Sequence, residues 1–247
     1  MKRVLIGDQR EDLATTFEAL IRNWGYRVIV AENLVMYGEI LEKIAPEIQI
    51  VGPSFLKDPT LYQQVCNSPA PLLTIADPKH PMTPPKGDVL PYPVDIFRLF
   101  SLIQNELEET PRRNIRLRVK LPGIYFNGNK SCIAEVLSLS TAGLFLKTGT
   151  RLENRDTIRL IFPLFGMQKE MEVSGRIVYQ VTPGPENNYM QGIGVEFIDF
   201  DASTFSTLER YIEGLLFNEL SETSAARRTF DTGHLQPHLL TELLPAI

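Results

Sequence analysis

Four arginines fall within seven positions, Arg112, Arg113, Arg116 and Arg118, in the stretch PRRNIRLRVKLP (111–122). A guanidinium is a planar fork of donors. It grips phosphate oxygens through two parallel hydrogen bonds and stacks on flat rings. Such a cluster, placed just ahead of a strand, is equipped to bind a small anion. The plain alternative is a solvated linker with surface ion pairs of little worth. Other chemistry is thin. The run GIYFNGNKS (123–131) approaches the phosphate-loop pattern GxxxxGK[ST], but Asn129 breaks it and it reads as a hairpin. His234 and His238 are separated by Pro237 and lack a cysteine or acidic cluster, so no metal site is expected. Three histidines in all do not assemble into a nucleophilic triad or dyad, so no catalytic residue and no enzyme is expected.

The chain around this cluster is acidic. Its 247 residues carry 25 Lys+Arg against 30 Asp+Glu, a net charge of −5. That balance argues against nucleic acid as a partner, since non-specific binding needs positive charge facing phosphates. Cys66 and Cys132 lie far apart and outside any CxxC pattern. With no secretory leader, they suggest a reducing cytoplasm. No apolar run approaches the roughly 18 residues that span a bilayer.

The elements that must position the arginines change type along the chain. KRVLIGD (2–8), YRVIVAE (26–32), IQIVG (48–52), PLLTIA (71–76) and DVLPYP (88–93) are short apolar runs. EDLATTFEALIRNWG (11–25), LVMYGEILEKIAP (34–46) and VDIFRLFSLIQNELEE (94–109) have helical spacing. In the first helix Leu13, Phe17, Leu20, Ile21 and Trp24 share a face, and Gly25 stands where a left-handed cap would fall. In the last, Ile96, Phe97, Phe100, Ile103 and Leu107 share a side. Strands alternating with helices predict an α/β doubly wound parallel sheet. Residues 1–109 resemble the receiver domain of response regulators. That resemblance implies an acid pair after the first strand, a phosphoacceptor after the third, Thr or Ser after the fourth and Lys after the fifth. Here those positions hold Asp8 and Gln9, Gly52, Ala76, and Tyr92. Glycine has no side chain to phosphorylate, and one carboxylate is a thin Mg²⁺ site. The expectation is a receiver-like scaffold without phosphotransfer. DPKHPMTPPKG (77–87), with four prolines, reads as a surface loop where receivers have their fourth helix, on a face often used to dimerise.

From Ile115 the period becomes that of strands. RLRVKLPGIYF (116–126), SCIAEVLSLS (131–140), AGLFLKT (142–148), DTIRLIFPL (156–164), KEMEVSGRIVYQVT (169–182) and GIGVEFIDF (192–200) predict an antiparallel barrel or sandwich, with a turn at Asn127-Gly128. A helix over 203–220 closes it, with Phe205, Leu208, Tyr211, Ile212, Leu215 and Leu216 as its apolar face. Residues 111–217 resemble the PilZ domain, a small β-barrel that binds cyclic di-GMP. The RxxxR motif of that family matches Arg112 and Arg116, with Arg113 beside them. Its [D/N]xSxxG motif matches SLSTAG, giving Ser138, Ser140 and Gly143. VSGRIV (173–178) and GIGVEF (192–197) also look like strands of that family. The resemblance implies that Arg112, Arg113, Arg116, Ser138, Ser140 and Gly143 line a cyclic di-GMP site.

Ser138 departs from the motif. An Asp or Asn there accepts hydrogen bonds from the guanine N1 and N2 edge. Losing a charged hydrogen bond costs roughly 1.5–3 kcal/mol, on the order of ten- to a hundred-fold in affinity. The boundaries expected are a receiver-like domain over 1–109, a PilZ-like domain over 110–220 and a tail over 221–247. The function implied is a non-enzymatic cyclic di-GMP effector without cofactor, acting in motility, surface polysaccharide and biofilm behaviour. The arginine lead, mobile before binding, would then reset the angle between the domains. A protein partner and a homodimer are compatible with this reading. The alternative is an interaction scaffold that has lost the nucleotide. The tail ends in LLTELLPAI (239–247), which suits either a partly ordered terminus or a docking segment.

Overall fold

Val4, Leu5, Ile6, Ile48, Ile50, Val51, Leu72, Leu73 and Ile75 are all at most 1% exposed, as strands covered on both faces must be. In the computed structural model they form the centre of a parallel sheet. The structure describes residues 2–76, 86–150, 152–153, 155–199, 201–220 and 229–231. The loop expected over 77–87 lies almost wholly outside them, as do His234, His238 and most of the tail.

The first compact unit runs to Arg113 and takes in Glu219–His234 as well, of which residues 219–220 and 229–231 are described. Its strands are β1 (Arg3–Gly7), β2 (Arg27–Ala31), β3 (Ile48–Val51), β4 (Leu72–Ile75) and β5 (Asp88–Leu90), in the order β2-β1-β3-β4-β5. All four pairings are parallel. This is the doubly wound 2-1-3-4-5 order, whose sites lie at the carboxyl ends of the strands. The helices are α1 (Glu11–Asn23), α2 (Leu34–Ile44), α3 (Pro59–Asn67) and α4 (Ile96–Leu107). Gly25 takes φ +95° after α1, the left-handed cap its sequence position suggested. Sequence spacing passed over α3, although its start is written in Asp58-Pro59. The Asp58 carboxylate accepts the Leu61 N–H at 2.8 Å, and proline sits at the first helical position. In α4, Leu99 is buried where Phe97 was expected, because Phe97 is only half-buried at the start of the helix. Trp24, expected in the core, is also half-buried. It meets Phe100 edge-on at 5.0 Å between ring centroids.

The second unit spans Asn114 to Asn218. It contains β6 (Leu117–Asn127), β7 (Lys130–Ser140), β8 (Gly143–Lys147), β9 (Thr157–Leu164), β10 (Lys169–Val181) and β11 (Gly192–Ile198). They close a barrel in the order β10-β11-β8-β7-β6-β9, and the β9–β10 pairing completes the ring. Alternation fills the inside with Leu121, Tyr125, Val136, Leu144, Leu146, Leu160, Phe162, Ile193 and Val195. The helix α5 (Ala202–Leu220) buries Leu208, Tyr211, Ile212, Leu216 and Phe217. Phe205, expected on that face, is 40% exposed, and Phe217 takes its share of the contact. Spacing of 3.6 residues admits both, and the register of the helix on the barrel decides between them.

Candidate functional site

The arginine lead begins where α4 stops. Gln104, on the last turn of α4 and 5% exposed, uses both ends of its amide. Its Nε2 donates to the Tyr26 hydroxyl at 2.6 Å, and its Oε1 accepts the Arg112 N–H at 2.9 Å. The Tyr26 hydroxyl donates to Glu108 at 3.0 Å, and Lys2 pairs with the same carboxylate at 3.3 Å. Burial, seconded by the Glu108 carboxylate, pushes the Tyr26 phenol well above its ordinary pKa. The hydrogen bond from Tyr26 holds Glu108 below the usual carboxylate range. A buried polar chain therefore grips the backbone of the lead at Arg112.

Two residues on, the lead is tied again. Thr141, 6% exposed in the turn between β7 and β8, donates through Oγ1 to Asn114 Oδ1 at 2.8 Å. This bond joins the middle of R-R-N-I-R to the middle of S-L-S-T-A-G. The lead that reads as mobile is thus held at Arg112 and at Asn114. The boundary of the compact units falls between Arg113 and Asn114, so Arg112 and Arg113 count with the first unit and Arg116 with the second. Arg112, Arg113, Arg116 and Arg118 are all exposed. Among the described residues, Arg113, Arg116 and Arg118 have no carboxylate partner, so their charge is available to an incoming anion.

Ser140 is 5% exposed and donates its hydroxyl to the Gly143 carbonyl at 2.9 Å, fixing the turn while keeping its lone pairs. Gly143 is required by the protein's own packing. A Cβ there would lie 2.1 Å from the Val195 carbonyl oxygen of β11. Ser138 is half-buried, faces outward and stands directly opposite Arg118 of β6. The inward pair Leu117 and Leu139 beside it confirms that face.

The register extends this pair into a row across the outside of the barrel. Arg118 faces Ser138, Ser138 faces Phe145, Phe145 faces Gly194, and Gly194 faces Tyr179. The rings of Phe145 and Tyr179 lie near-parallel, at 22° with centroids 6.3 Å apart. They cover glycines. A Cβ on Gly192 would meet the Phe145 ring at 2.6 Å, and one on Gly194 would meet the Tyr179 ring at 2.1 Å. The outcome is a flat aromatic shelf beside Ser138, with Tyr179 43% exposed. Sequence reading missed Arg118, Phe145 and Tyr179 as site residues. The signal was the pair of glycines in GIGVEF, since glycine inside a strand often marks close approach by another group. Only the register shows which rings use that space.

In the first unit the receiver-like positions converge on a filled corner. Asp8 is 6% exposed and sits at the end of β1. It accepts the Arg10 N–H and Nε at 2.9 Å each, and Arg10 Nη2 at 2.6 Å. The Arg10 guanidinium in turn lies over the Tyr92 ring, 5.0 Å from its centroid. A Cβ on Gly52 would come within 2.1 Å of Asp8 Oδ2, so this arrangement admits only glycine there. Ala76 spends its N–H on the Leu90 carbonyl at 2.7 Å, and Gln9 lines a separate cleft with Asn33 and Phe55. Among the described residues, no group of three His, Cys, Asp or Glu could hold a metal ion. No described helix is long and apolar enough to cross a membrane.

No curated protein matches the chain. Among solved structures, the inhibitor of motility MotI/DgrA of Bacillus subtilis is similar at 15% identity and a TM-score of 0.40, over 44% of this chain and 52% of that one. YcgR of Escherichia coli in complex with c-di-GMP is similar at 12% identity and a TM-score of 0.40, over 47% and 50%. In both cases about half of the other chain's length is spanned. A response regulator receiver modulated diguanylate cyclase from Pelobacter carbinolicus is similar at 22% identity and a TM-score of 0.32, over 43% of this chain and 96% of that one. Residues 110–214, which hold the arginine lead, the whole barrel and much of α5, match the PilZ domain.

Proposed function

We propose that the chain is a non-enzymatic cyclic di-GMP effector, with Arg112, Arg113 and Arg116 gripping the ligand and Ser138, Ser140 and Gly143 shaping the facing turn. The observation that carries this reading is the juxtaposition on the PilZ barrel. Exposed arginines without carboxylate partners lead into β6, and the Asn114–Thr141 hydrogen bond ties that lead to the SLSTAG turn. Phosphates suit the guanidinium forks. A guanine suits the Phe145–Tyr179 shelf, where base–aromatic stacking is worth about 1–3 kcal/mol. Arg118 beside Ser138 offers donors where the motif usually offers an acceptor, which favours the O6 and N7 edge of the base.

The domain boundaries at about 109 and 220 belong to this reading, and so does its mechanism. Arg112 and Arg113 precede the boundary of the compact units and Arg116 follows it. A ligand held from both sides would set the arrangement of the two units and thereby a surface for a protein partner. Motility and surface behaviour in a bacterial cytoplasm are the output this implies.

The test is calorimetric titration of the full chain with cyclic di-GMP beside Arg116→Ala. Saturable binding that is lost in the variant supports the reading. No heat with the unsubstituted chain at high micromolar ligand overturns it in favour of a scaffold without nucleotide.

A further inference from the structure

The parallel sheet of the first unit has two outer strands, and they are finished differently. β5 is three residues long, and its outward Val89 carbonyl accepts a hydrogen bond from Arg98 Nη2 at 3.2 Å. β2 carries no such guard. Arg27 N–H donates to the Lys2 carbonyl at 2.9 Å. The alternation of the ladder therefore turns the main-chain groups of Arg27, Ile29 and Ala31 toward β1, and those of Val28 and Val30 away from it. Among the described residues, the outward N–H and C=O of Val28 and Val30 have no hydrogen-bond partner. Val28 is 4% exposed, and shielded main-chain groups seldom stay without partners. The strand RVIVA holds none of the proline, bulge or inward charge that protects an outer strand.

The helix beside this edge is apolar on the matching side. Gln64 of α3 donates to Glu42 of α2 at 3.0 Å, and a Cβ on Gly38 would lie 2.8 Å from Gln64 Oε1, so α3 covers that flank. The opposite flank, on the β2 side, carries Met36, Ile40 and Ile44 four residues apart, with Met36 37% exposed. Ile29 and Ile44 are half-buried against the core cluster that contains Ile40. At the two ends of β2, Arg27 and Glu32 are exposed, and neither side chain has a charged partner among the described residues.

We infer that β2 is a pairing edge for a second copy of this chain, laid antiparallel about a two-fold axis at Ile29. Val28 then exchanges both main-chain bonds with Val30 of the other copy, and the two five-stranded sheets become one. Ile29 meets its own counterpart on the face where the two Met36–Ile40–Ile44 flanks approach. Arg27 comes opposite the small Ala31 and next to Glu32 of the other copy, so antiparallel pairing joins the free charges at both ends. That self-complementarity makes a second copy the occupant. A β2-to-β5 contact would run on as a filament, and Arg98 obstructs it, whereas β2-to-β2 pairing closes at a dimer. The inference uses the first unit alone and is independent of any nucleotide.

Sedimentation velocity of the full chain without nucleotide, over a series reaching the high micromolar range, is expected to show a reversible dimer and nothing larger. Arg27→Glu turns two attractions into two repulsions, so the dissociation constant is expected to rise roughly tenfold or more. Glu32→Arg should do the same. The two together restore opposite charges in exchanged places and are expected to return it to within about threefold of the parent. These side chains are exposed, so the fold is not at risk. Val30→Pro removes an outward donor that the chain's own ladder does not use and is expected to leave a monomer. Hydrogen exchange on the unsubstituted chain is a separate reading. The Val28 and Val30 amides are expected to slow as concentration rises, and the outward Val89 amide of β5 is not. A monomer at every concentration leaves the edge to some other strand and overturns the pairing. So does a dimer that ignores Arg27→Glu and Val30→Pro, a charge exchange that recovers nothing, or Val30 exchange that does not depend on concentration. Assemblies larger than a dimer overturn the two-fold closure.

Discussion

Replacing Ser138 with aspartate restores the acceptor that a PilZ motif usually carries, and the structure limits how much affinity that can return. A charged hydrogen bond to the guanine edge is worth roughly 1.5–3 kcal/mol. In this barrel, however, position 138 faces Arg118 across the β6–β7 ladder. In the free protein the new carboxylate would pair with that guanidinium, and an exposed cross-strand pair is worth about 0.2–1 kcal/mol. Ligand must share or displace it. The net gain is therefore about 1–2 kcal/mol, which corresponds to roughly five- to thirty-fold tighter cyclic di-GMP binding. Calorimetric titration of Ser138→Asp beside the unsubstituted chain, at one fixed salt concentration, measures it. Ser138→Asn, with no charge for Arg118 to hold, separates the acceptor from the ion pair. Affinity unchanged or weakened in a folded Ser138→Asp chain would mean that this corner does not meet the guanine edge, and the placement of the base beside the aromatic shelf would fall with it.

Gly143→Ala forces a Cβ against the Val195 carbonyl, so a loss of about 1–3 kcal/mol is expected, read as a lower urea midpoint at unchanged slope. An unshifted midpoint would show that β11 gives way freely. Gly52→Asp sets a second carboxylate against buried Asp8. It is expected to destabilise the chain by about 2 kcal/mol or more without creating a residue that acetyl phosphate can phosphorylate, read by the same melt and by mass spectrometry. Arg3 hydrogen-bonds Glu47 at 2.9 and 3.0 Å and lowers the Glu47 carboxyl to about 2. A depressed carboxylate stabilises the fold above its unfolded pKa. Its contribution is lost as pH falls from about 4.5 through about 2. Both side chains are over a third exposed, so screening keeps the effect under about 1 kcal/mol. Acid melts of Glu47→Gln should differ from the parent at neutral pH and converge with it near pH 2.

Much of this architecture was legible because period and burial agree. The strands of the first unit are mostly continuous apolar runs, and the barrel strands largely alternate, so their types follow from the pattern. The arginines and the SLSTAG turn were legible as motifs. What was not legible depends on register. Arg118 faces Ser138 through a ladder that contains a bulge between Arg118 and Leu121, and no spacing rule places a bulge. Phe145 and Tyr179 meet over glycines of a third strand, a contact among residues up to 49 positions apart. Gly143 was legible as a motif glycine, but its close approach to the Val195 carbonyl was not.

An arginine stands beside a motif position in each unit, Arg10 beside Asp8 and Arg118 opposite Ser138, and burial separates the two cases. In the first unit the Asp8 side chain is 2% exposed and Arg10 closes on it through three hydrogen bonds while resting on Tyr92. That guanidinium meets a carboxylate of opposite charge and closes the corner. In the barrel unit, Arg116 and Arg118 are exposed and lack a carboxylate partner among the described residues, and Arg118 faces a serine that cannot neutralise it. An arginine already paired in a buried corner holds structure. An arginine left unpaired on the surface of an otherwise acidic chain retains the capacity to bind an anion. Arg10 and Arg116 are the same residue type, and a carboxylate stands beside one and, among the described residues, not beside the other.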